Sequence, residues 1–231
     1  MHCGQAGRPA QELTASASDV IVVWTPAFAG VQSLVATIHL VRHARHADYG
    51  RVLSGRSDIR LAPEGEREAE ALAGWFAGRR PTHLQASPRP RAQQTADAIG
   101  RACGLSVETI TALDEIDFGG WTGQSFEKLG PDPGWRLWNA RRSQARPPGG
   151  ESQGEAVARA DAHIRAFSER NPDAAAALVT HADIIRGLVA HHLGLGLDAI
   201  LRFDADAASV TTLAMDGGGT RISGLNVKGW E

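Results

Sequence analysis

Two arginines, two histidines and one glutamate stand close behind short apolar runs of this 231-residue chain, and together they can handle a phosphoryl group. Arg42 and His43 follow Ile38-His39-Leu40-Val41; Arg91 lies in Ser87-Pro88-Arg89-Pro90-Arg91 after the run ending at Ala86; Glu115 follows Leu113-Asp114; His181 follows Leu178-Val179-Thr180. Taken singly, each has a plain reading: a solvated arginine, a surface acid, a packing histidine. Taken together they form a reaction set. A phosphoryl group carries nearly two negative charges, and two guanidiniums grip its oxygens bidentately while staying charged at every relevant pH. A neutral imidazole is a competent nucleophile near pH 7, so attack by His43 splits the displacement into two steps through a phosphohistidine. Glu115, its pKa raised by burial or by an anionic substrate, donates a proton to the leaving oxygen and then takes one from the attacking water. His181 is expected to stabilise the transferring oxygens. None of these steps calls for a metal or an organic cofactor.

Residues so far apart in sequence need a fold that gathers strand ends, and the pattern from Thr37 onward provides one. Short apolar runs alternate with amphipathic stretches, which predicts an α/β domain whose loops converge at the carboxyl ends of its strands. Strands are predicted at Ile38 to Val41, Thr82 to Ala86, Leu105 to Ile110 and Leu178 to Thr180. Helical stripes run through Ala69, Leu72, Ala73 and Phe76; through Ala92, Thr95, Ala96 and Ile99; through Val157, Ala160, Ile164 and Phe167; and through Ile185, Leu188, Val189 and His192. Cys103 extends the second stripe as a small buried hydrophobe. Residues 119–154, rich in Gly, Pro, Trp and Arg, read as a lid or substrate loop whose Trp121, Trp135, Arg136, Trp138, Arg141 and Arg142 can face an organic leaving group. Ser209 to Met215 and Arg221 to Val227 read as a hairpin at the sheet edge.

Composition narrows the partners. A formal net charge of −2 gives no bulk attraction to nucleic acid or an anionic membrane, and 42% hydrophobic with 22% charged residues is globular. Cys3 and Cys103 make neither a disulfide framework nor a zinc knuckle, so a reducing, cytoplasmic setting is expected. The anticipated partner is a small phosphorylated metabolite, and the anticipated state a monomer or homodimer. Residues 1–35 lack sustained periodicity and read as a disordered or non-native leader. Val20 to Trp24 is too short for a secretory core, and Val35 is a natural alternative start. Residues 36–231 are expected to form one domain.

The motifs also carry a resemblance. Leu40-Val41-Arg42-His43-Ala44 and Leu61-Ala62-Pro63-Glu64-Gly65 resemble the opening of the histidine phosphatase (phosphoglycerate mutase-like) superfamily. Ala86-Ser87-Pro88-Arg89-Pro90-Arg91-Ala92-Gln93-Gln94-Thr95-Ala96, Leu113 to Gly123, Gly149-Gly150-Glu151-Ser152 and Val179-Thr180-His181-Ala182 are similar to its later motifs, in order. The resemblance implies a three-layer α/β/α sandwich with a mostly parallel central sheet. It also implies a catalytic His43, Glu115 and His181, phosphate-binding Arg42 and Arg91 rather than Arg89, and metal-independent phosphomonoester hydrolysis. The chain departs from the pattern at Ala44, His46, Tyr49 and Thr122. His46, Arg56 and Ser87 are further candidate substrate contacts.

Three alternatives stay open at this level. One is a phosphoglycerate-type mutase, which returns the phosphoryl group instead of admitting water; the compact length after the leader favours a phosphatase. Another is a catalytically silent regulatory member. The third is a metallohydrolase using His43 and His46 with His39, or His191 and His192; no Asp or Glu lies at ligand spacing to them, and the latter pair falls on a helical stripe.

Overall fold

A computed structural model of the protein describes residues 35–230, so the expected leader lies outside them apart from Val35. Strand β1 (Ala36–Arg42) sets the architecture. Its alternate residues Ile38 and Leu40 belong to one core, and Val41 belongs to the other. A strand buried on both faces must lie inside a sheet, and β1 does. The sheet has six strands in the order β3-β2-β4-β1-β5-β6, with β2 (His83–Ala86), β3 (Glu108–Thr109), β4 (Ala175–Thr180), β5 (Val210–Asp216) and β6 (Gly219–Val227). β1, β2, β3 and β4 run parallel, and β5 and β6 close one edge as an antiparallel hairpin around Gly217 and Gly218.

Helices cover both faces. α1 (Pro63–Ala77) and α2 (Pro90–Cys103) bury their stripes on one side, and α5 (Gln153–Arg170) and α6 (Ala182–His192) on the other. Prolines at the first turns of α1 and α2, a left-handed Gly104 after α2, and a Ser152–Glu155 capping box on α5 fix where these helices begin and end. Between them, α3 (Phe126–Leu129) and α4 (Pro133–Ala140) fold segment 119–154 back onto the domain. Trp121, Leu129 and Trp138 of this segment are buried, and Trp138 meets the edges of Phe118 and Trp121. Its arginines divide: Arg136 and Arg141 are exposed, whereas Arg142 is buried. Among the described residues, no helix is long and apolar enough to cross a membrane.

Register is what builds the site. Arg42 pairs with Thr180 across β1 and β4, and Ala86 pairs with Val179 across β2 and β4. His43, Ser87 and His181 therefore leave the sheet abreast, at one carboxyl edge. The loop after β1 is pinned to α1 by a close approach that only glycine permits. A Cβ on Gly65 would sit 1.8 Å from the Arg45 carbonyl oxygen, while Ala62 donates its N–H to the same oxygen.

Candidate active site

His43 and His181 are buried side by side, their ring centroids 5.1 Å apart, and their hydrogen-bond partners dictate their tautomers. His43 Nδ1 faces the Ala44 carbonyl at 2.8 Å, so it carries the proton. Nε2 is left with its lone pair, which accepts from Arg91 Nε at 3.2 Å. His181 is reversed. Its Nδ1 accepts from an Arg91 terminal nitrogen at 3.2 Å, and its Nε2–H donates to Ser87 Oγ at 2.8 Å, which in turn donates to Asp114 Oδ1. Burial first, then Arg91, push both histidines well below their ordinary pKa. The pair is neutral at pH 7, the state in which an imidazole nitrogen can attack.

Arg91 is the hub. Besides both histidines it donates to the Ser57 and Gly55 carbonyls, so its plane is fixed. Burial lowers its pKa to about 10, which keeps it cationic at pH 7. Arg42 is held by donation to the Ala205 carbonyl and by Tyr49, whose hydroxyl it reaches at 3.3 Å and whose ring it overlies at 5.0 Å. Its Nε is buried without a hydrogen bond, a donor available to a substrate oxygen. Arg89, by contrast, turns to Asp58, Asp114 and the Arg56 carbonyl and does not line the cavity.

Glu115 enters from the loop after β3. Burial, reinforced by Asp183, raises its pKa to about 7, so at neutral pH the carboxyl is poised between donor and acceptor. Its backbone is clamped from behind: Arg56 Nε and Arg159 both donate to the Glu115 carbonyl, and both guanidiniums are held by Glu151. The Gly149-Gly150 pair explains how Glu151 gets there. The Glu151 N–H bonds the Asp117 carbonyl at 2.8 Å, and a Cβ on Gly150 would stand 2.2 Å from that oxygen.

These groups open into a cavity of about 340 Å³ whose lining includes Arg42, His43, His46, Arg91 and Glu115. The rest of its lining is of different character. Phe118, Phe126 and Trp135 add aromatic lining, and Asn139, Arg142, Asp183 and Arg186 add polar lining. Arg142 pairs with Asp183 at 3.0 Å, and Arg186 stands 3.9 Å from the same carboxylate.

The candidate contacts fall in three places. His46 lines the cavity; its Nδ1 accepts the Asp48 N–H, so Nε2 carries the proton, and burial with Arg91 and Arg42 brings its pKa to about 4. It is a neutral donor beside His43, at 5.5 Å between rings. Ser87 is fully buried behind His181, and Arg56 is taken up by the Glu115 loop; neither lines the cavity. His181 likewise acts on the cavity through Arg91. Replacing His46 with alanine is expected to lower kcat/KM for a phosphomonoester about tenfold through loss of one hydrogen bond to a charged group, with the far-UV spectrum unchanged. Steady-state kinetics measures it, and an unaltered kcat/KM would make the ring mere packing. Asp183 and Arg186 escape a motif search, although their signal is present: they occupy the first turns of a helix that starts right after His181.

Comparison with known proteins finds relatives of this chain in both sequence and fold. The sequence model of the histidine phosphatase superfamily (branch 1) matches residues 38–228. A protein named probable phosphoglycerate mutase GpmB, from Yersinia enterocolitica, is 33% identical over 161 residues, covering 68% of this chain and 75% of its own. The solved structure of a mycobacterial glucosyl-3-phosphoglycerate phosphatase superposes with a TM-score of 0.76 at 27% identity, covering 84% of this chain and 100% of that one. A phosphoserine phosphatase from Entamoeba histolytica shares the fold, with a TM-score of 0.76 at 22% identity over 84% of this chain and 98% of that one.

Proposed function

The chain belongs to the histidine phosphatase superfamily, and from that premise we propose that it hydrolyses a small phosphorylated metabolite through a phosphohistidine on His43, without a metal ion. One observation carries the reading: the unprotonated Nε2 of His43 accepts from buried Arg91, and Arg42 and a carboxyl of pKa about 7 line the same cavity. A phosphoryl group entering over Arg42 and Arg91 takes Arg91 Nε from His43 and frees the lone pair for attack. The guanidiniums offset the charge of its oxygens, the role a divalent cation plays in other phosphoryl transfers. Glu115 protonates the leaving oxygen, then draws a proton from the water that attacks the phosphohistidine. His181 stays neutral and keeps Arg91 in plane.

The rest of the cavity lining supports a phosphatase over a mutase. A bisphosphorylated intermediate needs a second cationic cradle, whereas Arg142 is paired with Asp183 and Arg186 stands near both Asp183 and Asp204, and Phe118, Phe126 and Trp135 line the same cavity. That lining suits a leaving group with an apolar or planar portion. A panel of phosphorylated metabolites assayed for released phosphate, with no bisphosphoglycerate added, is expected to give turnover of at least one member. Efficient interconversion of phosphoglycerates in place of phosphate release would overturn the hydrolytic reading.

A further inference from the structure

Away from the cavity, α5 and α6 bring three metal-ligating side chains together. Asp161 of α5 meets His191 and His192 at the end of α6, with one ligand atom from each within 4.8 Å of the others. Asp161 Oδ1 is 3.2 Å from His192 Nε2, and Asp161 Oδ2 is 3.5 Å from His191 Nε2. Ligand atoms about 2.0–2.1 Å from a tetrahedral zinc ion lie about 3.3 Å from one another, which both carboxylate–imidazole spacings approach.

The decisive feature is what the two buried atoms do not do. The His192 side chain is 3% exposed, yet its Nε2 makes no hydrogen bond, and neither does Asp161 Oδ1, the oxygen 3.2 Å away. Buried polar atoms rarely stay unpaired, and here two approach each other without the alignment a hydrogen bond needs. A cation held between them satisfies both. The other oxygen, Asp161 Oδ2, accepts from Arg165 Nε at 2.7 Å, which fixes the carboxylate while leaving Oδ1 to its lone pairs. Half-exposed His191 gives a path from solvent.

We propose that Asp161, His191 and His192 form a binding site for a first-row divalent cation, zinc being the ion that best suits two imidazoles and a carboxylate. The ion fastens α5 to α6. It takes no part in the reaction at His43, since none of its three ligands lines the cavity. The sequence pattern alone could not supply this site, because the acid reaches the histidine pair only when the two helices pack.

The intact protein, stripped with a chelator and dialysed against zinc chloride, tests the proposal by metal analysis and thermal melting. The wild type and His43→Ala are expected to hold one more equivalent of zinc than His191→Ala and Asp161→Asn, and zinc is expected to raise the melting temperature of the first pair only. Affinity should fall at least tenfold in His191→Ala, whose phosphatase activity stays at the wild-type level; its exposed position keeps the fold. Cobalt should give the visible bands of a four-coordinate ion in the wild type and lose them in His191→Ala. Equal zinc retention by the wild type and His191→Ala, or loss of the ion in His43→Ala, would overturn the proposal.

Discussion

Alanine at position 43 is expected to lower kcat about 10⁵-fold, because the nucleophile itself is removed and no neighbour can take its place. His181 is the nearest imidazole, but its free nitrogen is engaged by Arg91 and its ring lies behind the cavity lining. His46 lines the cavity with a protonated nitrogen toward Ser54, and its lone pair accepts the Asp48 N–H. The substitution leaves Arg91 anchored by Ser57, Gly55 and His181, so phosphate should still bind to the variant. Binding and chemistry thus separate. Acid-labile, base-stable labelling of the wild type by a radioactive phosphomonoester, absent from His43→Ala, identifies the covalent step. A variant that retains appreciable turnover would remove His43 from the chemistry.

How much of this site could be read from the chain depended on whether a residue is marked by its neighbours in sequence or in space. Arg42, His43, Arg91 and His181 each stand beside a strand end or open a helix, Glu115 follows the short turn after β3, and parallel register carries the four strand ends to one edge. The hairpin announced itself through alternation around its glycines. The predicted strand over Leu105 to Ile110 shrank to Glu108–Thr109, both exposed, because an edge position gives little apolar burial to extend it. Three-dimensional pairing stayed hidden. Glu151 reaching Arg56 beneath Glu115 and Asp183 reaching Arg142 depend on contacts between distant segments that no local pattern encodes. Arg56 illustrates the difference: its loop suggested a substrate contact, and its guanidinium instead spans the Glu115 carbonyl and Glu151.

The second large effect is expected from Glu115→Gln, and its signature is a dependence on the leaving group. An alkyl phosphate departs as a strongly basic alkoxide unless protonated, so its turnover should fall about 10²- to 10⁴-fold. A nitrophenyl ester leaves without a proton, and its pre-steady-state burst, which reports phosphorylation of His43, should survive nearly intact. The pH profile gives an independent check. With a pKa of about 7, Glu115 can protonate a leaving oxygen below that value and loses the capacity as pH rises through it; the alkaline limb near 7 for the alkyl substrate should vanish in the variant. Stability moves with the same proton. The folded value lies above the ordinary 4.5, so the folded protein binds a proton that the unfolded chain releases between those two pH values. The contribution of Glu115 to stability is therefore fully present below about 4.5 and lost as pH climbs through 7. Glutamine carries no such charge, so the variant should melt higher than the wild type at pH 8 and gain nothing at pH 4. An equal loss of alkyl and aryl phosphorylation would show instead that Glu115 positions the substrate, and the proton would have to come from another group in the cavity.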